Sequence, residues 1–222
     1  MLTPAQKATY ERDGILFPLP LLSEREAARY RALVEEMLAA EEDSSKLPHL
    51  RHDWALELST HPGVVAAVAE ILGVEPAIWG TMVLRKEPGS PQFVSWHQDG
   101  AYREFGPGDT LTAWIALADS RPDNGCMQVV RGSHVARLPH HDEPEPDNMI
   151  RLGKHVEYDI GSAPVTDVVL RAGEMSIHHN DIIHGSRPNV SDTVRIGFIV
   201  RFMKLGLPWT EGPVVVPGRV SV

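Results

Sequence analysis

The apolar positions of the chain change their period near residue 77. Before it they recur at helical spacing. Thr3-Pro4 offers an N-cap followed by proline at the first helical position, which predicts a helix over Ala5 to Asp13 stopped by Gly14. Ile15-Leu16-Phe17 reads as a short strand before Pro18 and Pro20. Ser23 caps a longer segment, Glu24 to Glu42, with Glu26 placed for a capping box. Within it Ala27, Tyr30, Leu33, Val34, Met37 and Leu38 make a one-sided apolar stripe. A further helix is predicted from Pro62 to Leu72, ended by Gly73. Beyond residue 77 the apolar residues come instead in short runs rich in β-branched and aromatic types: Ala77–Leu84, Thr110–Leu117, Met127–Val130, Val165–Leu170 and Thr193–Met203. Turn formers separate them, such as Pro88-Gly89, Pro107-Gly108 and Asn124-Gly125. That texture predicts many short strands in a sandwich or barrel. The polar stretch from about His140 to Ala163, with Pro144 and Pro146, is expected to be a long mobile loop. The expected organisation is one domain over residues 1–222, with a mainly helical layer (1–76) on a β core (77–222).

Composition narrows the class without changing this picture. Apolar content of 42% and charged content of 23% are those of an ordinary globular protein. At 222 residues the chain can bury enough surface to fold without staples. Its single cysteine, Cys126, excludes an intrachain disulfide and fits a reducing, cytoplasmic setting. No apolar run approaches a membrane span, and the first residues lack the apolar core of a signal peptide. A formal charge of −9 argues against nucleic acid or an anionic membrane as partner. A small-molecule partner remains, and the chain is expected to be a monomer or a homodimer.

The candidate chemistry sits in Ser95-Trp96-His97-Gln98-Asp99-Gly100. In extended backbone, residues two apart project to one face, so His97 and Asp99 can offer two ligands together. His184, in Asn180-Asp181-Ile182-Ile183-His184-Gly185-Ser186, can bring a third from a distant strand end. Two imidazoles and a carboxylate are the ligand set of a mononuclear non-haem Fe(II) site with open positions. Arg195 has the planar fork that grips a carboxylate. A His-x-Asp pair alone is common in a chain with eleven histidines; its context, with His184 and Arg195 downstream, sharpens it.

The segments TMVLRKEPGS, WHQDGAY, TAWIALADSRPDNGCMQVVRGSH, AGEMSIHHNDIIHGSRPN and RIGFIVRF, spanning roughly Gly80 to Phe202, resemble the phytanoyl-CoA dioxygenase (PhyH)-like family of Fe(II)/2-oxoglutarate-dependent oxygenases. The resemblance implies a mainly β double-stranded β-helix (a cupin-like jelly roll) with N-terminal helices packed outside. It implies Fe(II) on His97, Asp99 and His184, with 2-oxoglutarate and O₂ as the other reactants. Arg195 and Ser186 would hold the distal carboxylate of 2-oxoglutarate, and Gln98, Trp114 and Met82 would line its pocket. Halogenating relatives have a small residue at the carboxylate position. Asp99 therefore points to hydroxylation, or a related C–H oxidation, of a small metabolite or natural-product intermediate, with release of succinate and CO₂. Tyr102 and Arg103, after the metal segment, are candidates for the substrate mouth, and Arg85 and Arg201 for anchoring an anionic substrate. His178 and His179 read as supporting residues rather than ligands. A non-catalytic metal or 2-oxoglutarate sensor, and a zinc hydrolase or isomerase on a jelly roll, stay open as alternatives.

Overall fold

Helix α1 (Pro4–Asp13) is opened by a reciprocal pair: the Thr3 hydroxyl accepts from the Gln6 N–H while the Gln6 side chain accepts from the Thr3 N–H. Gly14, at φ 74°, closes it in the left-handed conformation that a side chain would disfavour. Strand β1 (Ile15–Pro20) follows, then α2 (Glu24–Ala40), started by the same kind of exchange between Ser23 and Glu26. Helices α3 (Asp53–Ser59) and α4 (Pro62–Leu72) complete the helical layer. The periodicity did not expose α3, because seven residues hold too few turns. The computed structural model describes residues 1–40, 45–102, 105–150, 152–210 and 212–218, and only the backbone of Tyr102.

Ten further strands follow: β2 (Pro76–Lys86), β3 (Val94–His97), β4 (Thr110–Ala116), β5 (Met127–Val130), β6 (His140–Asp142), β7 (Lys154–Val156), β8 (Val165–Asp167), β9 (Glu174–His179), β10 (His184–Ser186) and β11 (Arg195–Lys204). A larger antiparallel sheet has the order β1-β9-β4-β11-β2, and a smaller one β3-β10-β5-β8. This is the double-stranded β-helix.

Alternation along β11 explains the layering. Ile196, Phe198, Val200 and Phe202 point outward and join Tyr30, Val34, Met37, Val64 and Val68 of α2 and α4 in the main core. Arg195, Ile199 and Arg201 point the other way, into the space between the sheets. The helices thus cover one face of the larger sheet, and the smaller sheet covers part of the other. Among the described residues no single helix is long and apolar enough to cross a membrane.

The stretch from His140 to Ala163, expected to be a long loop, instead contains a hairpin: β6 and β7 pair, His140 opposite Val156. Its tip is tied to the strand edge at Phe93, whose carbonyl accepts from the Met149 N–H at 2.8 Å. Strands of three residues carry too little alternation to be read from sequence.

Candidate metal centre

His97 ends β3 and His184 begins β10, and the two residues are direct cross-strand partners. Antiparallel pairing therefore brings their rings together, 4.1 Å between centroids. Asp99 lies just past β3, in a short 3-10 turn (Asp99–Tyr102). One ligand atom from each of the three falls within 4.8 Å of the others. Among the described residues this is the sole cluster of its kind.

The surroundings prepare these groups for a cation. The Nδ1 of His97 lies 2.8 Å from the Ser95 carbonyl, and that of His184 lies 3.0 Å from the Ile182 carbonyl. A carbonyl can only accept, so each Nδ1 carries the proton and each Nε2 keeps its lone pair for a metal. Burial, reinforced by His97, holds His184 well below the ordinary imidazole range, so its ring is neutral. Burial pushes the Asp99 carboxyl up. The positive charge of Arg201 leads the influences that outweigh this and hold it well below the usual carboxylate range. The Thr112 hydroxyl donates to Asp99 Oδ2 at 3.0 Å, which leaves Oδ1 toward the histidines, 3.7 Å from His97 Nε2. Two neutral nitrogen donors and a charged carboxylate with one free oxygen suit a divalent transition metal, and the residues fit Fe(II).

The cluster opens onto a cavity of about 590 Å³ between the two sheets. Met82, Leu84, Trp114, Ser186 and Arg195 are among the residues that line it. Gly197 makes the seat for Trp114: a β-carbon there would run into the indole ring. The Arg195 guanidinium in turn stacks over that ring at 4.9 Å. Arg195 is buried, and among the described residues its one hydrogen bond runs from Nη1 to the Gly125 carbonyl, while Nε has no partner.

Gln98 does not line the cavity. Flanked by two residues that face inward, it points to the opposite side. There its amide donates to the carbonyls of Ala136 and Asp181 and accepts from the Leu138 N–H. Arg85 pairs with Glu87 at the rim of β2 rather than reaching the cavity. Arg103 and the side chain of Tyr102 lie outside the described residues.

Of the other residues at the site, His178 is expected from the sequence as a supporting residue, whereas Lys46, Lys86 and Lys154 are not. His178 lies in the cavity wall, its Nε2 3.7 Å from Asp99 Oδ2 and its ring 4.9 Å from that of His184. Lys86 is wholly buried behind Ser186, with its Nζ donating to the Ser186 hydroxyl at 2.7 Å. A signal for Lys86 was present: Met82, Leu84 and Lys86 alternate along β2, so a cavity-facing pair predicts a third on that side. Lys46 and Lys154 join Arg201 around the mouth, together with Trp79, Met149, Ile150 and Leu152.

Comparison with known proteins gives this geometry a context. A rat "Phytanoyl-CoA dioxygenase domain-containing protein 1" is 28% identical over 187 residues, covering 79% of this chain and 63% of that protein. The chain thus spans a little under two thirds of that relative's length. A "Probable alpha-ketoglutarate-dependent hypophosphite dioxygenase" of Stutzerimonas stutzeri is 30% identical over 156 residues, covering 69% of this chain and 54% of the relative. Among solved structures, the non-heme monooxygenase ThoJ superposes with a TM-score of 0.80 at 29% identity, covering 96% of this chain and 79% of ThoJ. The epimerase SnoN, solved in complex with Fe3+, alpha ketoglutarate and nogalamycin RO, superposes at 0.77 with 28% identity, covering 90% of this chain and 82% of SnoN. The sequence model described as phytanoyl-CoA dioxygenase (PhyH) matches residues 10–197, which takes in β1, the three-residue cluster and Arg195. The chain belongs to the phytanoyl-CoA dioxygenase family.

Proposed function

We propose that this chain is an Fe(II)- and 2-oxoglutarate-dependent oxygenase that hydroxylates, or otherwise oxidises, a C–H bond of a small molecule, releasing succinate and CO₂. The observation that carries the reading is the pairing of the three-residue cluster with a cavity whose inner end holds a buried arginine lacking an acidic partner among the described residues. A dicarboxylate has a group for each feature: one end for the metal, the other for Arg195.

In this reading His97, Asp99 and His184 hold iron, which when bound supplies O₂ activation coupled to oxidative decarboxylation of the co-substrate. The chain's own residues bind and orient. Arg195 pairs with the distal carboxylate, fixed in direction by Trp114 beneath it and the Gly125 carbonyl beside it. Ser186 adds a hydroxyl to the same carboxylate. The Thr112 hydroxyl holds Asp99 Oδ2, with the His178 ring beside it, so that Oδ1 serves the metal. The apolar wall of Trp79, Met149, Ile150 and Leu152 shields the reacting centre from water, and Arg201, Lys46 and Lys154 favour a substrate with an anionic group. A cavity of about 590 Å³ that must also hold the co-substrate suits a small molecule. The retained Asp99 fills the position a halide would need, which favours oxygenation over halogenation. The substrate's placement decides between hydroxylation and the related outcomes named for SnoN, an epimerase, and SnoK, a carbocyclase.

The test is anaerobic addition of Fe(II) and then 2-oxoglutarate to metal-free protein. A visible charge-transfer band that needs both, and that His184→Ala abolishes, supports the reading. Tight zinc retention with no band, and activity that survives removal of O₂, would refute it.

A further inference from the structure

The two largest fully buried side chains among the described residues are both cations, Arg195 and Lys86. They are direct cross-strand partners in the β2–β11 pair. Like charges placed opposite each other in a sheet repel, and burial amplifies the repulsion. Among the described residues no carboxylate offsets it. From β11 Lys86 faces Arg195, and from β10 and the residue after it the Ser186 hydroxyl and the Ser186 and Arg187 carbonyls. The Asn189 amide bonds the Lys86 carbonyl, and before β5 the nearest ionisable group is the buried Cys126 thiol, itself pushed up to about 11. Asp167 of β8 influences that thiol and has its own partner in Gln128.

Resting on the co-substrate reading above, we propose that Lys86 is a positioning residue for the distal carboxylate: it aims the Ser186 hydroxyl and backs Arg195 with a second positive charge, so that co-substrate binding draws a proton into the protein.

The hydrogen-bond arithmetic at Ser186 supports this. A charged ammonium has three donors and no acceptor, so with the serine and the two carbonyls around it Lys86 donates to all three. The serine oxygen then accepts from Lys86, and its own proton is left to point into the cavity that Ser186 lines. A neutral amine keeps a lone pair, which accepts a hydrogen bond from the serine O–H and turns the hydroxyl away from the cavity. Burial, and after it Arg195, lowers Lys86 to about 7, so the two states exchange near neutrality in the free protein. A carboxylate arriving at Arg195 favours the charged state. Affinity is therefore highest below about pH 7 and falls above it, by up to about tenfold per pH unit, until the bound form also deprotonates.

Anaerobic calorimetry of 2-oxoglutarate binding to the Fe(II)-loaded protein tests this, run in buffers of different ionisation enthalpy. Uptake approaching about one proton per site near pH 8, and little near pH 6, is expected. Lys86→Met should bind at least about tenfold more weakly near pH 6 with no uptake, and Lys86→Arg should restore binding without the pH slope. Wild-type binding without uptake near pH 8 would overturn the proposal, a result that needs no variant to fold. So would a Lys86→Met protein that keeps both affinity and uptake. Absence of 2-oxoglutarate binding at every pH would instead overturn the co-substrate reading itself, and this inference with it.

Discussion

Single positions in this molecule act through what they leave room for. Gly197 sits on β11 between Arg195 and Ile199 on the cavity face, and its missing side chain is the space that the Trp114 ring occupies. Gly197→Ala should cost about 1–3 kcal/mol, the usual range for overpacking a filled site. Because the displaced indole carries the Arg195 guanidinium, 2-oxoglutarate affinity should fall as well; thermal unfolding and a binding titration read the two effects separately. His97, Asp99, His184 and Arg195 were legible in the sequence because few residue types can do their chemistry. Lys86 was harder to see, since a lysine after an apolar strand ordinarily ends in water. Only the β10 chain passing over it supplies the oxygens that make its burial tolerable.

At the scale of elements, the metal cluster depends on turns that hold strand ends in place. Gln98 joins the end of β3 to the segment at Ala136 and Leu138 and to the Asp181 turn before β10. It is fully buried, so a hydrophobic replacement leaves two carbonyls and an N–H without partners. Gln98→Leu should destabilise the protein by about 2–4 kcal/mol in chemical denaturation. The co-substrate affinity of the folded fraction should stay close to wild type; a selective loss of affinity would return Gln98 to the cavity wall. Alternation along an extended segment already separates Gln98 from its two neighbours. The family resemblance implies the cavity wall for Gln98, whereas alternation implies the opposite side, and that is where its amide lies. The β6–β7 hairpin was misread for a different reason: its pairing is made across the eleven residues between Asp142 and Lys154, a relation that no local window contains.

For the whole molecule, buried histidines tie stability to pH. Burial lowers His49, whose Nδ1 lies 2.7 Å from the Thr81 hydroxyl, and His179 to about 4 each. An unfolded histidine titrates near 6.5. Between these values the unfolded chain binds protons that the folded chain refuses, so stability falls as pH drops from about 6.5 toward 4. The melting temperature should decline through that window, and His49→Gln should flatten the decline; an unchanged slope would mean that other groups carry it. The acidic formal charge of −9 contrasts with a cavity lined by Lys46, Lys154, Arg195 and Arg201. Net charge set the expectation about nucleic acid and membranes, yet the local field of the cavity is the opposite. By itself the sequence determined the family, the bounds of α1 and α4, the start of α2 and the strand-and-turn texture, and it singled out four residues whose chemistry is scarce. All of these are written in nearest-neighbour patterns or in residue identity. The tertiary structure decided which cations share a buried corner, which side of β3 Gln98 takes, and which loops wall the cavity. Those relations join residues as far apart as Lys86 and Arg195, and cross-strand pairing, not chain proximity, makes them neighbours.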